Sequence, residues 1–78
     1  MGKYNYIDKA YFGKCLREAV LEKYNSMNEF AFYKFRDKTS RAVAEWAAGE
    51  HMPDPESLTK LSDIFGRERV ISWFKYTF

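Results

Sequence analysis

Apolar residues first recur with a helical period between about Asp8 and Tyr24. The inner face of this segment consists of Phe12, Leu16, Ala19 and Val20. Because these positions are three or four residues apart, they fall on one side of a helix. Asp8 precedes them, and its carboxylate can accept a hydrogen bond from an orphan backbone N–H of the first turn. The pattern predicts helix one here, whereas residues 1–7, which lack a helical period, predict an N-terminal arm.

Ser26 and Glu29 open the second predicted helix. Their spacing is that of a capping box, in which the hydroxyl and the carboxylate each accept a hydrogen bond from a backbone N–H of the first turn. The apolar residues that follow are Phe30, Ala31 and Phe35. The polar residues 36–38 then predict the end of helix two and a turn.

A third helix is predicted to begin near Thr39 or Ser40. Its apolar stripe consists of Ala42, Val43, Trp46 and Ala47. Gly49 follows this stripe, and glycine readily adopts the left-handed conformation that ends many helices. The segment therefore predicts a short helix with one buried face and one exposed face.

The sequence Asp-Pro-Glu at residues 54–56 has the features of a helix start. Aspartate caps orphan N–H groups, proline fits the first helical position, and glutamate suits the positive end of the helix dipole. Helix four is predicted to run to about Phe65 and to end at Gly66. A fifth helix is predicted from Glu68 to Tyr76. Its inward residues are predicted to be Val70, Ile71 and Phe74.

These elements together predict an all-α fold, a compact five-helix bundle. A chain of 78 residues with 46% hydrophobic content has room for one small core. The sequence shows no repeat and no linker. We therefore expect a single domain over residues 8–78, preceded by the arm at residues 1–7.

The stretch from Ser40 to Gly66 joins a short exposed helix, a glycine-terminated loop and a second capped helix. Its spacing is defined by Val43, Trp46, Gly49, Pro53, Leu58, Leu61, Phe65 and Gly66. This arrangement resembles the helix-turn-helix of the lambda-repressor and Cro (XRE-like) family of DNA-binding proteins. The resemblance implies a lambda-repressor-like fold in which helix three lies in the major groove of DNA.

The resemblance also implies which side chains contact DNA. The outward positions that match base-contacting positions of the family are Ser40, Arg41, Ala44 and Glu45. Lys38, Thr39 and Ser40 are suited to phosphate oxygens through the ammonium, the hydroxyls and the helix N-terminal N–H groups, with an ordinary helix cap as the alternative. The loop after the recognition helix often meets the DNA backbone in this family, and His51 is its candidate donor.

Arg41 is the strongest single candidate, because its planar fork can bond O6 and N7 of guanine together. Phosphate contact and plain solvation are the alternatives for this side chain. Ala44 suits contact with a thymine methyl group. Glu45 can accept a hydrogen bond from a cytosine amino group, or it can pair with Arg41 on the preceding turn.

The C-terminal run from Val70 to Phe78 holds more aromatic residues than one helix face can bury. Small members of the resembled family usually form dimers, and exposed aromatic patches mark interfaces. Trp73, Tyr76 and Phe78 are therefore candidates for a symmetric dimer contact, with packing inside the domain as the alternative.

The net charge of +2 is compatible with nucleic acid but does not point to it unaided. A single cysteine, Cys15, excludes an internal disulfide, and with one histidine it does not supply the spacing of a metal site. The sequence contains no phosphate-binding loop or convergent catalytic group, so we expect no catalysis, metal or cofactor. Neither a signal peptide nor an apolar run of about 18 residues is present, so a cytoplasmic location is expected.

The resemblance implies a small Cro-like transcriptional repressor in a prokaryotic or phage setting. Such a protein is a homodimer that binds double-stranded DNA sequence-specifically and acts by occupying its operator, and no small-molecule effector or membrane partner is expected here. The alternative hypothesis uses the same fold as a protein-binding module, such as an antirepressor, an antitoxin-like partner or an assembly subunit. Its support is the low net charge, the acidic Glu45 and Glu50, and the aromatic content of 19%.

Overall fold

The structure, a computed structural model, describes residues 6–77. These residues contain five helices and one pair of two-residue strands. In chain order they are β1 (Tyr6–Ile7), α1 (Lys9–Leu21), α2 (Met27–Lys34), α3 (Ser40–Ala48), α4 (Pro55–Phe65), α5 (Arg67–Ile71) and β2 (Tyr76–Thr77). The Cα radius of gyration is 12.3 Å. The prediction of a compact fold of five helices is confirmed.

Four of the helices begin at the predicted polar caps. The cap side chain accepts a hydrogen bond from the backbone N–H three residues later in each case: Asp8 from Tyr11, Ser26 from Glu29, Thr39 from Ala42 and Asp54 from Ser57, at 3.0–3.1 Å. The capping box is shifted by one residue, because the Glu29 carboxylate accepts from the N–H of Asn25 at 2.7 Å. α3 ends at Gly49, which has the predicted left-handed conformation with φ of +81°.

The core is formed by apolar side chains from the inward faces of the helices. Its fully buried large side chains are Phe12, Leu16, Val20, Phe30, Phe35, Val43 and Leu61. Aromatic rings connect the helices, and Phe35 meets Trp46 of α3 at right angles with ring centroids 5.2 Å apart. α3 is thereby held against both α1 and α2.

α1 and α3 approach each other at backbone distance. A Cβ atom on Gly13 would lie 2.5 Å from the carbonyl oxygen of Ala47 and 2.6 Å from that of Trp46. At the end of α3, a Cβ atom on Gly49 would lie 2.8 Å from the Cα of Ala10. Gly13 and Gly49 therefore allow the backbones of α1 and α3 to pack in direct contact. This contact sets the position of α3 relative to the core.

The C-terminal segment differs from the prediction of a helix up to Tyr76. α5 ends at Ile71, and β2 then pairs with β1 in antiparallel orientation, with Ile7 opposite Tyr76. The backbone N–H of Asp8 donates to the carbonyl oxygen of Lys75 at 2.6 Å. Pairing with a distant part of the chain therefore replaces the last predicted helical turns.

The early end of α5 also changes the predicted surface. Ile71, predicted to face inward, is 56% exposed, whereas Trp73 is only 4% exposed. The Trp73 ring packs at 5.6 Å from the rings of both Phe12 and Phe65. The premise that Trp73 is exposed for a dimer contact is wrong, because the ring completes the core. Val70 is buried as predicted.

Two of the three predicted dimer residues are not decided by this packing. Tyr76 is 50% exposed, and its role in a dimer stays a prediction. Phe78 lies outside the described residues.

Candidate nucleic-acid interface

The outward face of α3 exposes three of the four predicted base-contacting side chains to solvent. Ser40, Arg41 and Ala44 are exposed, and Glu45 is partly buried. The side chain of Arg41 is 87% exposed. Val43 and Trp46 occupy the opposite face in the core, so this part of α3 is amphipathic as predicted.

Glu45 lies between two of the predicted DNA-binding residues. Its carboxylate is 3.3 Å from Nε of Arg41, one helical turn earlier, and 4.0 Å from Nε2 of His51 in the loop after α3. The contact with Arg41 uses Nε, which leaves the two terminal nitrogens of the guanidinium for other acceptors. The structure therefore brings Arg41, Glu45 and His51 together on one surface.

Lys38 forms a salt bridge with Asp54, the N-terminal cap of α4. Its ammonium is 3.0 Å from the carboxylate of Asp54, and this hydrogen bond raises the pKa of Lys38. Hydrogen bonding from Ser57, followed by that from Lys38, lowers the pKa of Asp54 to about 2. Lys38 thus stands beside the start of α3, but with part of its charge compensated.

A second ion pair joins the same turn to α4. Lys60 lies 3.3 Å from the carboxylate of Asp37 and 4.9 Å from the centroid of the Phe35 ring. A hydrogen bond from its own backbone and then the bond from Lys60 lower the pKa of Asp37. Since Lys38 and Asp37 both bind α4, the turn between α2 and α3 is fixed at two neighbouring positions.

Thr39 is the N-terminal cap of α3, and Ser40 is the first residue of this helix. The hydroxyl oxygen of Thr39 accepts the N–H of Ala42, which is the ordinary cap that sequence analysis gave as an alternative. The hydroxyl proton of Thr39 remains able to donate, since a hydroxyl is both donor and acceptor. Ser40 is exposed beside it. The geometry is thus that of a capped helix N-terminus open to solvent.

Positive charge is concentrated in the segment that ends α2, forms the turn and begins α3. Residues 32–41 carry a net charge of +3, whereas the whole chain carries +2, so the remainder carries −1. The cations of this segment are Lys34, Arg36, Lys38 and Arg41. No salt bridge to Lys34 or Arg36 occurs among residues 6–77. A local excess of positive charge therefore borders the exposed face of α3.

Sequence reasoning missed two exposed aromatic rings on α2. Phe32 and Tyr33 are each 60% exposed and meet at right angles with ring centroids 5.2 Å apart. The guanidinium of Arg36 lies 5.1 Å from the centroid of Phe32. The signal was present, because α2 buries Phe30, Ala31 and the following Phe35, and one helix face cannot also include Phe32 and Tyr33.

Other kinds of site find little support in the described part of the chain. Among residues 6–77, no group of three or more His, Cys, Asp or Glu side chains could hold a metal ion. Within the same residues, no helix combines the length and apolar character needed to cross a lipid bilayer. Cys15 is a free, partly buried thiol packed against the core.

Comparison with protein-family models, with curated proteins and with solved structures finds no match to this chain. The functional argument therefore depends on the geometry and charge of the surface around α3.

Proposed function

We propose that this protein binds double-stranded DNA sequence-specifically through α3, as a small Cro-like repressor of the helix-turn-helix type. The observation that carries the proposal is the position of α3. One face of this helix is fixed to α1 and α2, while Ser40, Arg41 and Ala44 project from the other face beside the local charge of +3. A fixed, exposed helix with flanking cations has the form that major-groove readers use.

Base reading is assigned first to Arg41. Its two terminal nitrogens are available to O6 and N7 of one guanine, while Glu45 bonds Nε and limits the orientations of the side chain. Such preorganisation reduces the entropy lost on binding. Ala44, one turn further along α3, is small enough for contact with a thymine methyl group.

Phosphate contacts are assigned to the entry of α3. The free backbone N–H groups of its first turn, the hydroxyls of Thr39 and Ser40, and the ammonium of Lys38 lie at this end of the helix. A helix N-terminus favours anions through its dipole and its unpaired N–H groups. Because Lys38 is paired with Asp54, we expect it to contribute less to phosphate binding than an unpaired lysine would.

Operator occupancy by a homodimer is the most economical mode of action. Two copies of α3 must be about 34 Å apart to enter successive major grooves on one side of the duplex. Among the described residues, Tyr76 is the exposed candidate for the contact between the two copies. A dimer of this kind would repress transcription by excluding polymerase from the occupied DNA.

The proposal is tested by selecting duplexes from a random pool with the full chain and measuring fluorescence anisotropy. The selected duplex and a scrambled version are titrated at low and near-physiological salt. We expect a preference for the selected duplex that persists at the higher salt. Arg41→Ala should cost about 1–3 kcal/mol of binding free energy and relax the preference at one base pair.

Arg67→Ala supplies the matched control, because Arg67 is an exposed arginine on α5, a helix that packs on α4. It should leave the preference unchanged. Equal, weak binding of both duplexes that disappears with added salt would contradict the proposal. In that case the alternative hypothesis, that the fold serves as a protein-binding module, takes its place.

A further inference from the structure

An open groove lies between α2 and the start of α3, beside the exposed ring of Phe32. It has a volume of about 510 Å³. The residues that line it are Asn28, Ala31, Phe32, Phe35, Arg36, Lys38 and Ser40. Its surface is therefore partly apolar, with cationic side chains at its border.

We propose that this groove binds an acidic peptide segment of a partner protein that inserts one apolar side chain. The binding surface combines the groove with the aromatic patch, which we define as Phe32 and Tyr33 of α2 and Arg36 of the following turn. This inference does not depend on DNA binding, since the aromatic patch lies at the end of α2 and in the following turn, and not on the exposed face of α3.

The aromatic patch is arranged in advance of binding. The edge-to-face contact of Phe32 with Tyr33 and the position of Arg36 over Phe32 restrict all three side chains. Restricted aromatic and arginine side chains are the residues that most often dominate binding at interfaces. The domain leaves both rings 60% exposed although it buries other aromatic rings in its core. An apolar side chain of a partner can cover this exposed area.

Charge decides which partner fits this surface. The segment of residues 32–41 carries a net +3, and the salt bridges among the described residues leave Lys34 and Arg36 uncompensated. A second copy of the chain would bring the same positive surface against itself, which is unfavourable. An acidic segment complements it.

The groove favours a peptide over a single-stranded nucleic acid. Base stacking requires free ring faces, whereas Arg36 covers Phe32 and Tyr33 meets that ring at right angles. In the groove, Ala31 and Phe35 form a buried apolar floor and the Phe32 ring an exposed apolar wall, an arrangement that suits a branched or aromatic side chain. Because Lys38 and Ser40 also line the groove, a bound peptide would cover groups that the proposed function assigns to phosphates.

The test is selection of short peptides from a randomised display library against the immobilised full chain. We expect enrichment of acidic peptides that share a large apolar residue. A fluorescently labelled peptide from this set should bind the double variant Phe32→Ala/Tyr33→Ala at least about tenfold more weakly. Arg36→Glu, which keeps both rings, should weaken binding by a similar factor. Ile71→Ala, which truncates an equally exposed apolar side chain on α5, should not change it.

Several results would overturn the inference. The first is that no enriched peptide depends on Phe32 for binding. The second is that a peptide binds equally well after its apolar residue is changed to serine. The third is that a single-stranded oligonucleotide binds this surface in preference to the peptides. Dimerisation of the chain that Phe32→Ala abolishes would also overturn it, in favour of a second copy. Arg41→Ala should leave peptide binding unchanged, so failure here is distinguishable from failure of DNA binding.

Discussion

Gly13 of α1 lies so close to α3 that a Cβ atom on it would stand 2.5 Å from the carbonyl oxygen of Ala47. Both groups belong to helix backbones, so neither can move aside without displacing its helix. The contact sets the distance between α1 and α3, and with it the position of the face that carries Arg41. The placement of the proposed DNA-reading helix therefore depends on a residue without a side chain.

Gly13→Ala should lower the free energy of unfolding by about 1–3 kcal/mol or more, because the added methyl group overpacks the helix contact. Without the contact, alanine in a helix would instead be more favourable than glycine by roughly 0.5–1 kcal/mol. Urea denaturation followed by circular dichroism measures the difference. A gain in stability would contradict the close packing of α1 and α3.

Gly66→Ala provides the comparison for that variant. A Cβ atom on Gly66 would have no neighbour within 4 Å, although its φ of +97° disfavours an L side chain. We expect only the conformational cost, on the order of 1 kcal/mol. A larger loss at Gly13 than at Gly66 would separate the steric effect from the backbone effect.

Trp73→Ala should destabilise the domain by about 3–5 kcal/mol, because it empties a buried site between Phe12 and Phe65. Chemical denaturation of the full chain measures this loss. Trp73→Phe, which keeps an aromatic ring, should retain a folded domain with part of the loss. Unchanged stability together with a shift from dimer to monomer would return Trp73 to an interface role.

Tyr76→Ala tests the dimer contact separately. Its ring is 50% exposed, so we expect the unfolding free energy to change by less than about 1 kcal/mol. If Tyr76 lies at the contact between copies, sedimentation should show a shift from dimer toward monomer at constant helix content. An unchanged sedimentation profile would place the dimer contact elsewhere.

Acid should destabilise the protein through Asp54. Its pKa is lowered to about 2 in the folded chain from an ordinary value of 3.8, so the folded state binds its proton more weakly than the unfolded state. The stabilisation is complete above about pH 4 and is lost as the pH falls toward about 2. The lowered pKa values of Asp37 and Glu22 act in the same direction.

Asp54→Asn should reduce the loss of unfolding free energy at acid pH, which urea titrations at several pH values measure. Asp63→Asn is the matched control, because no salt bridge to the exposed Asp63 occurs among the described residues. Equal acid profiles for the two variants would show that the lowered pKa of Asp54 does not contribute to the acid dependence of stability.

Glu45→Gln should strengthen binding to every duplex by roughly two- to tenfold at low salt, because it removes a negative charge that faces phosphates. The change keeps the shape of the side chain and its ability to bond Arg41. The anisotropy titration used for the proposed function measures it. A selective loss on the preferred duplex would instead assign Glu45 to recognition of a cytosine amino group.

Local chemistry was sufficient to predict where the helices begin. The caps at Asp8, Ser26, Thr39 and Asp54 depend on hydrogen bonds to residues three positions away, so a short window of sequence contains the needed information. The left-handed end of α3 at Gly49 is a local property of the same kind.

The end of the chain was not predictable in this way. The pairing of β2 with β1 joins residues about seventy positions apart, and a strand of two residues has no periodicity to detect. Trp73 was misplaced for the same reason, since its inward position follows from where α5 ends. For the candidate site, the exposed positions of α3 followed from amphipathicity, but the bond of Lys38 to Asp54 required the three-dimensional structure.

The pairing of β1 with β2 also determines how the domain would respond to tension. Positions 6 and 77 are directly opposite each other in this pair. A pull between them acts across the strands, so the pairs open one after another instead of sharing the load. In single-molecule stretching, this short ribbon would unzip at low force before any helix is pulled from the core.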